Sequence, residues 1–293
     1  LCLAMPRIAH THRWVLLFGL RFQPSELAKI SLTLFFAYYC ESKKDILNAW
    51  KTLALPMSVL ATTVFLVLAE PDYGTALFLA VLACLMMLIG GVKLKRILTV
   101  AGVFAVLFTI FLFTASYRVS RVQGFFSSGV DPQGKGYQVM QSKVAVGSGG
   151  LLGVSLGQST QKLYFLPFAH TDFIFAILGE ETGLAGTAIT VCLFLIILWR
   201  GLKISIATPD PALKMVAAGI TFALVAQALL NISIVLGLGP TKGVPLPFLS
   251  YGRSSLMCSL AMAGLLLHIS QQKSAGAAAV RPRGWSPGPR PTW

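Results

Sequence analysis

Charge is the scarcest thing in this chain. Asp, Glu, Lys and Arg make up 12% of its 293 residues, roughly half the share of an average soluble domain. Together with 55% hydrophobic residues and a mean hydropathy of +0.74, that shortage excludes an ordinary water-soluble globule and points to an integral membrane protein. The in-and-out alternation of a transmembrane barrel is missing too. Five cysteines, Cys2, Cys40, Cys84, Cys192 and Cys258, are scattered, four of them inside apolar runs. They spell out neither a disulfide framework nor a metal site and read as small core residues. No signal-peptide pattern opens the chain. It starts LCLAMPRIAHTHRW, as though entered midway, and the expectation is a truncated or mis-started chain.

Negative charge is the rarer sign, with 10 Asp and Glu against 24 Lys and Arg and a formal net charge of +14. In a soluble protein this surplus would suggest nucleic acid. Here the basic residues sit mostly in short loops between apolar runs, where orientation and contact with membrane lipids account for them, and no nucleic-acid partner is expected. Seven apolar runs, at about 26–40, 52–69, 73–92, 97–117, 172–199, 215–238 and 254–270, approach the roughly 20 residues that a bilayer crossing takes. The first is short and carries Lys29. The expected fold class is therefore an all-α, polytopic membrane helix bundle, a single domain over 1–273, since only helices or closed barrels satisfy their backbone in lipid. Lys and Arg divide thirteen against ten between the two sets of loops. Because the orientation rule weights short loops, the long loop at about 118–171 is expected outside the cell and residues 274–293 in the cytoplasm. That tail is Ala, Gly, Pro and Arg and reads as disordered.

Ionisable groups at membrane depth are costly, so each asks for a reason. Glu26 and Lys29 in QPSELAK share a helical face and can neutralise one another; an ion pair that locks the helix and a direct role both fit. Glu70-Pro71-Asp72-Tyr73-Gly74-Thr75 joins two runs with almost no loop. Asp72 is expected to cap the next helix, and the alternative for two acids so close together is a cation site.

Residues 135–183 form the one long segment neither apolar enough to cross a bilayer nor biased enough for a linker, so chemistry is expected there. Gly147-Ser148-Gly149-Gly150 and Gly153 look like a phosphate cradle. Without a strand and helix in P-loop order, however, they read as a glycine-rich turn. Asp172 follows Pro167-Phe168-Ala169-His170-Thr171 at the mouth of a helix, and Asp172, Ala176, Gly179, Glu180 and Gly183 fall on roughly one face. A carboxylate there either faces a cavity within the bundle or simply caps the helix, and the pattern alone leaves both open. His170 either orients Asp172 or only hydrogen-bonds at the interface, and one of Glu180 and Glu181 is expected to pair with a base. Farther on, PTKGVPLP and SYGRSS, residues 240–247 and 250–255, read as a rigid outer loop running into a helix. Lys242 and Arg253 with the Ser250, Ser254 and Ser255 segment suit an anion such as a diphosphate.

Taken together and in order, HRWVLLFGLRFQPSELAKI, EPDYGTA, GYQVMQS, GSGGLLG, LPFAHTDFIFAILGEETG and TKGVPLPFLSYGRSS resemble the SEDS (FtsW/RodA/SpoVE) family of membrane glycosyltransferases that polymerise peptidoglycan. GQSTQK and PTKG stand closer to its division-type branch than to its elongation-type branch. The resemblance covers nearly the whole chain and implies a bundle of ten spans in the family, about seven of them here. It implies lipid II as substrate, a class B penicillin-binding transpeptidase and other divisome proteins as partners, and a place in the bacterial inner membrane at the septum. It makes Asp172 the proposed catalytic residue and Glu26, Lys29 and Asp72 important for activity, with His170, Thr171, Ser250, Ser254 and Ser255 in support.

Chemistry fits that implication. One carboxylate can take the proton of the acceptor sugar hydroxyl, and cations can steady the leaving lipid diphosphate. Arg121, Lys162, Lys242 and Arg253 are the candidates, and a divalent cation, Mg2+ or Mn2+, is the one cofactor to consider. The chain departs from the family pattern in its missing early spans, in Arg253 where Gly is usual and in Phe168 where Glu is usual. Two other function classes remain. A lipid II flippase would place polar residues at mid-membrane on discontinuous helices, and a non-catalytic divisome scaffold would only dock the transpeptidase.

Overall fold

The computed structural model describes residues 14–17, 20–113, 137–166, 169–239 and 243–279. A short hairpin comes first, with β1 (Val15–Leu17) antiparallel to β2 (Leu20–Phe22) and Val15 opposite Phe22. In an otherwise helical chain, as the sequence predicts, this short hairpin has a local cause. The two β-prone runs are too short for a helix, and they end at Pro24, ahead of which Gln23 is extended (φ −104°, ψ 107°), as the residue before a proline must be.

The helices are α1 (Pro24–Ser42), α2 (Trp50–Ala69), α3 (Tyr73–Ile89), α4 (Leu94–Phe113), α5 (Tyr137–Ser148), α6 (Thr160–Tyr164), α7 (Ile174–Ala207), α8 (Pro211–Val235) and α9 (Arg253–Ala279). Five of them, α2, α4, α7, α8 and α9, are long and apolar enough to cross a membrane, and α3 is a shorter apolar helix. The protein is a multi-pass membrane helix bundle. The apolar window of α8 is 78% buried and that of α4 only 6%. A helix apolar on every side belongs at the centre of a bundle, and an equally apolar one at its edge faces lipid. Phe36 of α1, Leu79, Leu82 and Met86 of α3, and Ile220 and Leu224 of α8 are fully buried together. Helix α9 runs on to Ala279. In the long segment after α4, α5 and α6 are the described helices, and α5 packs on α7 and α8.

Helix α7 is broken. Gly183 takes φ 67° and ψ −161° inside it, which frees backbone groups that lipid could not satisfy. The glycine-rich turn after α5 takes them up. Val154 N–H donates to Glu180 O (3.0 Å) and Ser155 N–H to Glu181 O (3.2 Å), while Leu184 N–H donates to Gly150 O (2.9 Å) and Ala185 N–H to Leu151 O (3.2 Å). GSGGLLG is thus a backbone splice into α7, not a phosphate cradle. The fit depends on a missing side chain, since a Cβ on Gly183 would lie 2.5 Å from Gly153 N. Gly183→Ala is expected to lose at least about 2 kcal/mol through backbone strain and overpacking, read as a lower unfolding midpoint of the purified protein.

Candidate functional site

Two of the chain's few charges meet at the start of α1. Lys29 Nζ lies 2.7 Å from Glu26 Oε2, with the two side chains 3% and 4% exposed. Lys29 also donates to Gln227 Oε1 on α8 and lies 5.8 Å from the centroid of the Phe78 ring. The i,i+3 spacing brings the pair together, and burial against α3 and α8 removes the water that would otherwise weaken it.

Asp72 caps α3. Its Oδ1 accepts from Thr75 N–H (3.2 Å) and its Oδ2 from the Thr75 hydroxyl (2.9 Å). Thr75 in turn lines a small open cleft, whose walls include Glu26, Lys29, Phe78, Gln227 and Gly243. The Asp172 carboxylate lies against one of these walls, because a Cβ on Gly243 would lie 3.0 Å from Asp172 Oδ2. Of the three acids singled out, Glu26 lines the cleft itself, while Asp72 and Asp172 each lie against one of its lining residues, Thr75 and Gly243.

Asp172 is not on a helix. It lies in the turn before α7, whose N-cap is Phe173, with no side-chain cap bond. The face expected to carry Asp172 with Ala176, Gly179, Glu180 and Gly183 thus begins at Ala176. Backbone bonds hold the turn. Tyr251 N–H donates to His170 O (2.9 Å), Ser250 Oγ to Thr171 O (2.5 Å), and Asn231 Nδ2 to Asp172 O (2.7 Å). His170 thus contributes through its carbonyl, while its side chain is exposed. Ser250 also accepts from Leu246 N–H (2.7 Å), which fastens the 243–250 segment onto the same turn. Ser254 Oγ accepts from Gln23 N–H (3.3 Å), and Ser255 is buried beside it. Sequence reasoning missed Gln227 and Asn231, 2% and 1% exposed. Two amides four residues apart in an otherwise apolar helix were the available signal.

The GQSTQK segment packs against α7 through its polar side chains. Glu180, 2% exposed, accepts from the Ser159 hydroxyl and from Thr160 N–H and its hydroxyl (3.1 Å each). This buried carboxylate sits at the N-terminus of α6, where the helix dipole favours it. Lys162 Nζ lies 3.8 Å from Glu181 Oε1, so Lys162 is engaged by an acid of α7. Glu180→Ala is expected to release α6. Limited proteolysis within residues 155–166 should then run at least about tenfold faster than in wild type, the equivalent of one charge-assisted hydrogen bond.

Arg253 is exposed at the first residue of α9. Arg121, Lys242 and Phe168 lie outside the described residues. Among the described residues no group of three or more His, Cys, Asp or Glu side chains stands ready for a metal ion.

Comparison with known proteins agrees with this architecture. The family model described as "Cell cycle protein" (FtsW/RodA/SpoVE) matches residues 3–275. A protein of a Geobacter species, named as a probable peptidoglycan glycosyltransferase FtsW, is 40% identical over 266 residues, 90% of this chain and 72% of its own length. Stage V sporulation protein E of Bacillus subtilis is 35% identical over 259 residues, 88% of this chain and 71% of its own. Among solved structures, a chain from work on the structural coordination of polymerization and crosslinking by a peptidoglycan synthase complex is 30% identical. It superposes with a TM-score of 0.75, covering 93% of this chain and 76% of that one. The rod shape determining protein RodA of Thermus thermophilus is 26% identical with a TM-score of 0.64, covering 93% and 73%. Family model, relatives and fold give the same answer: this chain belongs to the FtsW/RodA/SpoVE family.

Proposed function

We propose that this chain is a peptidoglycan glycosyltransferase that polymerises lipid II into glycan strands, with Asp172 as general base. The observation that carries the reading is the convergence of Asp172, through Gly243, and the Glu26–Lys29 pair on one cleft. The acceptor 4-hydroxyl gives its proton to the Asp172 carboxylate as its oxygen bonds to the donor's anomeric carbon. The bond from that carbon to the lipid diphosphate breaks, and the diphosphate leaves with the electron pair. Cations steady the charge that develops there; Arg121, Lys162, Lys242 and Arg253 are the proposed suppliers, with Lys162 exchanging its contact to Glu181 for the phosphate. The family, the relatives' names and the GQSTQK and PTKG segments favour septal synthesis in the bacterial inner membrane, beside a class B penicillin-binding transpeptidase and other divisome proteins. In that reading the segment from 118 to 171 faces outward.

One observation favours a flippase, namely that α7 is discontinuous at Gly183, as transporter helices often are. The broken backbone is satisfied by the glycine-rich turn and the polar cleft lies elsewhere, so the enzyme reading is the better supported. Purified protein with labelled lipid II, with and without the transpeptidase, tests it. Glycan ladders are the expected product. Lipid II crossing the bilayer without ladders would replace the reading with a flippase, and neither activity would leave a scaffold.

A further inference from the structure

Helix α8 carries two amide side chains that the reaction scheme does not use. Asn231 Nδ2 donates to Asp172 O (2.7 Å) and also to Val244 O (2.7 Å). One helical turn earlier, Gln227 Nε2 donates to Pro245 O (2.8 Å), and its Oε1 accepts from Lys29, the partner of Glu26. Both amides are at least 98% buried. Each therefore ties one charged element of the cleft to adjacent residues of the same backbone segment, Val244 and Pro245. That segment begins at Gly243, whose absent side chain gives Asp172 Oδ2 its place.

We propose that Gln227 and Asn231 are positioning residues, a two-rung amide clamp that sets the Asp172 carboxylate relative to the Glu26–Lys29 pair. The proposal rests on the glycosyltransferase reading for its kinetic consequence but not for its geometry. An i,i+4 pair on one helix face is spaced by the helix itself, and two donors of one NH2 group bridging two carbonyls leave the amide no alternative orientation, since a flip would set its oxygen against both. Among the described residues the Asn231 oxygen has no hydrogen-bond partner. Asn231 thus holds its place through its donors alone.

The test compares wild type, Asn231→Leu and a core control, Leu224→Ala, which removes a fully buried side chain of the same helix without touching the clamp. Hydrogen exchange is followed in residues 169–173 and 243–250, and kcat and KM are measured for lipid II polymerisation. In Asn231→Leu, exchange is expected to rise at least about tenfold in both segments together, and kcat to fall about a hundredfold with KM within about threefold, the cost of a misplaced reacting group. Leu224→Ala should lower the unfolding midpoint as much or more while keeping kcat per folded molecule. Unchanged exchange in either segment, or a kcat loss no larger than that of the control, would overturn the clamp. If wild type makes no glycan at all, the exchange result still decides the clamp and the failure falls on the function reading.

Discussion

Asp172→Asn should lose glycan synthesis almost entirely, by about a thousandfold, the middle of the range for losing a positioned general base. The asparagine keeps the size of the side chain and one acceptor oxygen, so the fold should survive. What it cannot do is take a proton. Asp172 lies outside α7, in the turn just before it. Phe173 occupies the N-cap of α7, and the turn carrying Asp172 is held by backbone carbonyls, those of His170, Thr171 and Asp172 itself. An amide at 172 disturbs none of those bonds. Binding of lipid II should therefore persist within a few fold in Asp172→Asn, measured by retention of labelled substrate, while turnover disappears.

The second large effect concerns stability. Removing one partner of the Glu26–Lys29 pair leaves the other charge buried, 2–3% exposed, and such a loss costs about 3–5 kcal/mol. Lys29→Met and Glu26→Gln should each lower the unfolding midpoint steeply. The double variant, with neither charge, should be more stable than Lys29→Met alone, since replacing both members of a buried pair by neutral groups is often close to neutral. Activity should not return with stability, because the cleft wall would then lack both the cation and the Gln227 link it maintains. Thermal unfolding of the four proteins in one detergent decides the point; losses that simply add would show that the two side chains act independently.

Much of this site was legible from spacing. Glu26 and Lys29 lie three residues apart just after Pro24, and the pair forms because the helix that Pro24 starts brings them onto one face. Asp72 ahead of Tyr73-Gly74-Thr75 announced its cap on Thr75. Other features depend on long-range packing and were hidden. GSGGLLG carries the composition of a phosphate loop, yet its role follows from the break at Gly183, which a hydropathy profile does not register. Glu180 sits in an apolar run, and its partners Ser159 and Thr160 lie about twenty residues earlier, a pairing that no local pattern states. Asn231 and Gln227 passed as incidental polar residues because their partners are carbonyls of a loop that folds back from the far end of α8.

The central claim is that the carboxylate at 172, beside this cleft, serves as the base in making the glycosidic bond. The most direct measurement incubates wild type and Asp172→Asn, at equal folded amount and each with the transpeptidase present, with labelled lipid II and resolves the products by length. A ladder of glycans from wild type and unreacted lipid II from Asp172→Asn is the predicted result. Equal ladders from both would contradict it and move the base elsewhere in the cleft.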